Sequence, residues 1–93
     1  MRMSKHQLAK SAGIRSETLD VWITQEWLVP DPTSGAAQFT DIDAARVRLI
    51  LELKNDLGAN DEGIAVILHL MDQLHGMRRA LARMKEEMQR PPD

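Results

Sequence analysis

Three histidines, a scatter of carboxylates and no cysteine bound the chemistry this chain could do. His69, Asp72 and His75 are the most suggestive group. Each lies one helical turn from the next, so a helix would set them in a row. Such a row could hold a zinc ion or present a general acid–base pair. His6 is far away in the sequence and no thiolate exists to complete a ligand set. The row therefore reads as polar positions on the outer side of a helix. There is no G-x-G-x-x-G, no P-loop, no Ser–His–Asp arrangement and no nucleophile. No catalysis, metal or cofactor is expected.

Charge is the more informative chemistry. The net value is only −2. Its distribution is uneven. Arg2, Lys5, Lys10 and Arg15 carry the first fifteen residues with no acid among them. Glu17, Asp20, Glu26 and Asp31 follow with no base between them. A duplex-binding domain usually carries a clustered basic face, because phosphate neutralisation supplies much of the affinity. Here the basic cluster is small and an acidic one comes directly after it.

Two tryptophans, Trp22 and Trp27, could stack on a base or a ligand. Their spacing fits core positions better. The methionines Met71, Met77, Met84 and Met88 could form an adaptable partner surface. With Met77 and Met84 seven residues apart and Met88 seven after Leu81, they read as the seam of a dimer. Arg78, Arg79, Arg83 and Lys85 read as a solvated flank of the same helix.

The elements that must position these residues follow from composition and pattern. Ninety-three residues make one small domain. One Phe, two Trp and no Tyr leave the core to aliphatic residues and Met. No disulfide is possible. No signal peptide is visible, and the apolar run Ile64 to Leu68 is too short to span a bilayer. A cytoplasmic protein is the expectation.

Ser4 and Gln7 form an S-x-x-Q capping box at the start of a first helix. Leu8, Ala9 and Ala12 face inward, and Gly13 stops the helix. Ile14 is expected in the core. Ser16 is read as the cap of a second helix, from about Glu17 to Glu26, with Leu19, Trp22 and Ile23 inward. Two short helices joined by a tight glycine-containing turn are the helix-turn-helix pattern. Trp27 to Val29 and Ala37 to Phe39 are expected to pair as a small hairpin, or wing, across the turn formers of residues 30–35. Thr40 caps a third helix with Asp41 and Asp43 in its first turn. Ile42, Ala45, Val47, Leu49, Ile50, Leu53 and Leu57 are assigned to its inner side. Gly58 suits the residue just past its end.

Asn60 then caps a long helix, with Asp61 and Glu62 in its first turn. Pro91 and Pro92 end it. Its length would be roughly 45 Å at about 1.5 Å per residue. Ile67, Leu74, Leu81 and Met88 repeat every seven positions, with Leu70, Met77 and Met84 beside them. Met71 adds to the stripe. Such a face must be covered, either by folding back as core or, more simply, by the same helix of a second copy. The expected organisation is a domain over 1–59, a dimerisation helix over 60–90 and a disordered tail over 91–93.

This order resembles the N-terminal module of the MerR family over nearly the whole chain. Gln7 to Ile14, Thr18-Leu19, Leu28-Val29-Pro30, Phe39-Thr40-Asp41 and Ala44-Ala45-Arg46 carry the resemblance. It implies a mainly α fold, a winged helix-turn-helix with a small β wing and a long C-terminal dimerisation helix. It also implies promoter-DNA binding, and a dimer made by an antiparallel coiled coil. The departures fall on the DNA-facing residues. The family's second helix typically reads Thr-Leu-Arg-Tyr-Tyr, and here stands Thr18-Leu19-Asp20-Val21-Trp22. Its wing typically reads Gly-Tyr-Arg-Xaa-Tyr, and here stands Gly35-Ala36-Ala37-Gln38-Phe39. An acid in place of that arginine repels a duplex.

Gly63 to Asp72, leading into a coiled-coil-like end, is similar to the CbpM chaperone-modulator family. Those are MerR-like dimers without an effector domain, and they bind and inhibit the J-domain of the DnaJ-like co-chaperone CbpA. The resemblance implies a chaperone modulator working as a homodimer, with a J-domain co-chaperone as partner, nucleic-acid binding doubtful and no membrane. A J-domain engages Hsp70 through a basic helix. By charge matching, Glu17, Asp20, Asp41 and Asp43 are the expected partner-binding residues, together with Val21. Ile67, Leu70, Met71, Leu74, Met77, Leu81, Met84 and Met88 are the expected dimer interface. A MerR-family transcriptional regulator is the alternative.

Overall fold

A computed structural model describes residues 2–30 and 38–91. The described chain is mainly helical. Its order is β1 (Met3–Ser4), α1 (Lys5–Ala12), α2 (Ser16–Thr24), β2 (Gln38–Phe39), α3 (Asp41–Asn55) and α4 (Asp61–Gln89). It divides into two compact units, Met1–Asn60 and Asp61–Asp93. The fold is a winged helix-turn-helix with a small antiparallel sheet, followed by the long helix α4.

The helix ends of the first unit follow local chemistry. The Ser4 hydroxyl accepts from the Gln7 N–H at 3.1 Å, and the Gln7 side chain accepts from the Ser4 N–H at 2.9 Å. That reciprocal pair satisfies two donors that the first turn would leave orphaned. Gly13 takes φ 72°, and the Ile14 N–H closes onto the Ala9 carbonyl at 3.0 Å. Thr40 and Asp43 repeat the capping box at the start of α3. At the other end of α3, Gly58 has φ 64° and the Ala59 N–H reaches the Leu53 carbonyl at 2.8 Å.

Helix α2 departs from the expected boundaries. Ser16 is its first residue, not its cap. The N-cap is Arg15, which makes no side-chain capping bond. The Arg15 carbonyl instead accepts from the Thr18 and Leu19 N–H groups. The helix stops at Thr24 because Glu26 adopts φ 63° and the Trp27 N–H turns back to the Trp22 carbonyl at 2.9 Å. That closure commonly uses glycine, and here a glutamate fills the left-handed position.

The wing pairing also differs from expectation. β2 pairs antiparallel with β1, Met3 opposite Phe39 and Ser4 opposite Gln38. Trp27 to Val29 form no strand. The reason lies in their backbone. The Trp27 N–H is spent on closing α2, and its carbonyl accepts from Arg46 Nε. Trp27 therefore brings no free N–H to a ladder. The expected wing tip, residues 31–37, lies outside the described residues, as do Pro92 and Asp93 of the expected tail.

Among the described residues of the first unit, Leu8, Ala9, Leu19, Trp22, Trp27, Leu28, Phe39, Val47, Ile50 and Leu53 are the buried apolar side chains. Helix α1 is central to it, packing on α2, α3 and both strands. On α3 the inner face is narrower than expected. Val47, Ile50 and Leu53 recur every three residues and are buried. Ile42 and Ala45 point well off that direction at 100° per residue and are exposed. Leu57 lies beyond the helix end and is also exposed.

In the second unit, Ile64 and Leu68 are the buried residues of α4. Ile67 and Met71 are half-buried. No described helix is long and apolar enough to cross a membrane.

Candidate partner-binding surface

Helix α2 sorts its residues by helical period. Leu19 and Trp22 go into the core, and Ile23 is half-buried. Glu17, Asp20, Val21 and Thr24 stand at i, i+3, i+4 and i+7, which is one face. All four are exposed, and Val21 keeps 52% of its surface in water. The Thr24 hydroxyl turns inward to the Asp20 carbonyl at 2.9 Å. The outward chemistry of this face is therefore two carboxylates with one valine next to them.

Asp20 is not an isolated charge. Its Oδ1 receives the Lys5 ammonium at 2.7 Å, tying the first residue of α1 to the middle of α2. Both side chains remain part-exposed, at 39% for Lys5 and 53% for Asp20. From sequence Lys5 reads only as one of the four bases of the N-terminal stretch, not as a partner of Asp20. The pairing joins positions fifteen apart on two helices, and no local pattern announces it.

The two α3 acids behave differently from each other. Asp41 is exposed beside Ile42, which is 79% exposed. The Asp43 carboxylate accepts from the Thr40 N–H at 2.8 Å and from the Thr40 hydroxyl at 3.2 Å. It is committed to the cap and has less to offer a partner than Glu17 or Asp41.

The first unit also has an open groove of about 320 Å³ lined by Leu8, Ser11, Ala12, Ala44 and Arg48. Trp22 and Trp27 are buried, so neither presents a face for stacking on a base. Among the described residues no group of three or more His, Asp or Glu is gathered to hold a metal ion. His69, Asp72 and His75 lie exposed along α4.

The second candidate surface runs along α4. Leu70, Leu74, Met77, Leu81, Met84 and Met88 are all exposed, Met88 to 85%. Their spacing alternates between four and three residues, which is the a/d repeat of a coiled-coil seam. Ile67 and Met71 are more covered than the rest of the expected interface.

A family model described as MerR HTH family regulatory protein matches residues 3–86. No curated protein and no solved structure matches the chain. The match takes in the helix-turn-helix, both strands, α3 and nearly all of α4. The chain belongs to the MerR HTH family of regulatory proteins.

Proposed function

We propose that this chain is a chaperone modulator of the CbpM kind, which binds the J-domain of a DnaJ-like co-chaperone of the CbpA type and inhibits it. The observation that carries the reading is the exposed face of α2, which presents Glu17 and Asp20 with Val21 beside them. In a helix-turn-helix the second helix ordinarily enters the major groove. A face carrying two carboxylates is repelled there and attracts a basic helix instead. Val21 supplies an apolar contact beside the charges. Asp41 extends the acidic character at the start of α3, and Asp43 contributes mainly through the cap. The protein acts as a homodimer joined along the α4 seam, working as a cytoplasmic, non-enzymatic regulator.

Titration of an isolated J-domain, followed by calorimetry, tests this. Binding should weaken as salt rises from low to physiological levels, because part-exposed charges are screened. Reversing Glu17 and Asp20 together to Lys should lower affinity tenfold or more. Unchanged affinity would show that the partner sits elsewhere.

A second reading compatible with the family match is a DNA-binding transcriptional regulator. Arg2, Lys5, Lys10 and Arg15 would then contact phosphates. Measurable binding of the wild-type protein to duplex, with a steep salt slope, would favour that reading.

A further inference from the structure

We infer that Asp20 is a specificity-determining residue that keeps the helix-turn-helix off polyanions by holding Lys5 in an internal ion pair. The inference stands on the contact between α1 and α2 and does not require the J-domain proposal.

Lys5 opens α1, in the stretch Arg2 to Arg15 that carries no acid. This stretch is the chain's natural source of phosphate contacts, since the first helix of a helix-turn-helix crosses the DNA backbone while the second faces the groove. Asp20 acts on both helices at once. It places a negative charge on the exposed face of α2. It also occupies the Lys5 ammonium at 2.7 Å, in the role a phosphate oxygen would take. A duplex approaching this face meets a Lys5 whose charge is already offset by Asp20, and must sit against that carboxylate. The pair is part-exposed, so a phosphate could reach Lys5 if Asp20 were neutral.

Two effects therefore separate on substitution. Asp20→Asn keeps the side-chain shape, removes the repulsion and frees Lys5. Lys5→Gln in the same background removes only the freed cation. If Asp20 acted solely by repulsion, the second change would matter little.

The experiment is fluorescence anisotropy of a labelled random-sequence duplex with the full chain, at low and at physiological salt. Circular dichroism checks that each variant is folded. Asp20→Asn should bind on the order of tenfold tighter than wild type at low salt, with the salt slope steeper by about one. Lys5→Gln added to Asp20→Asn should return binding to near the wild-type level. Equal binding by wild type and Asp20→Asn, at whatever affinity, overturns the inference. So does a double variant that keeps the whole gain, since Lys5 would then play no part. J-domain titration of the wild-type protein reads the other proposal separately, and its failure would leave the duplex result intact.

Discussion

The indole rings of Trp22 and Trp27 lie 6.3 Å apart and are tilted 35° to each other. Lys54 Nζ stands 5.9 Å from the centre of the Trp27 ring. Arg46 Nε donates to the Trp27 carbonyl. The end of α2 is thus held against α3 from both the ring side and the backbone side. Trp27→Ala should lower unfolding free energy by about 3 kcal/mol, as large aromatic deletions from cores do. Lys54→Ala should cost less than about 1 kcal/mol, since the cation–π contact is part-exposed. Urea denaturation followed by circular dichroism measures both. A Trp27→Ala cost near zero would mean that this contact does not hold the unit together.

The cap of α3 separates stability from recognition at Asp43. Asp43→Ala and Thr40→Ala should each cost about 1 kcal/mol. The double variant should cost clearly less than the sum, because the two side chains serve one another. Asp41→Ala, one turn position away and outside the cap, should leave the melting temperature nearly unchanged while weakening J-domain binding. Equal destabilisation by Asp41→Ala and Asp43→Ala would contradict this division of roles.

Two backbone positions carry avoidable cost. Glu26 sits at φ 63°, where glycine is easier by about 1 kcal/mol. Gly76 lies inside α4 with open space where a Cβ would go. Gly76→Ala should therefore raise α4 stability by about 1 kcal/mol, the usual helix-propensity difference. Glu26→Gly should be stabilising or neutral. Thermal melts of the two variants check this, and a lowered melting temperature for Gly76→Ala would contradict it.

The α4 seam makes a prediction about assembly. Leu81→Glu places a charge within the apolar repeat, twice over in a symmetric pair. Burial of a leucine is worth about 1.5–3 kcal/mol, so this change should convert a dimer to monomer at micromolar concentration. Sedimentation equilibrium reads it directly. A chain truncated after Gly76 should also be monomeric. A dimer that survived both changes would place the seam elsewhere.

What the sequence determined by itself is what acts within a few residues. Ser4 with Gln7, Thr40 with Asp43, and the left-handed glycines Gly13 and Gly58 mark helix ends through contacts to their own neighbours. The periodicity of Leu19 with Trp22, and the seven-residue rows of α4, fix which face of each helix is apolar. The order of elements, and with it the family, follows from those signals. Residue type alone exaggerates the width of the apolar face on α3, outside which Ile42 and Ala45 are exposed, and Leu57 is exposed because the helix ends before it.

Only the tertiary structure decided the rest. Phe39 pairs with Met3 rather than with the segment after α2, because Trp27 has already committed its backbone to Trp22 and Arg46. Glu26 takes the left-handed turn because the Trp27 N–H must return to the Trp22 carbonyl. Lys5 meets Asp20 because α1 packs on α2. Each of these depends on packing or chain closure that no residue type announces, so their geometry is set by the folded chain.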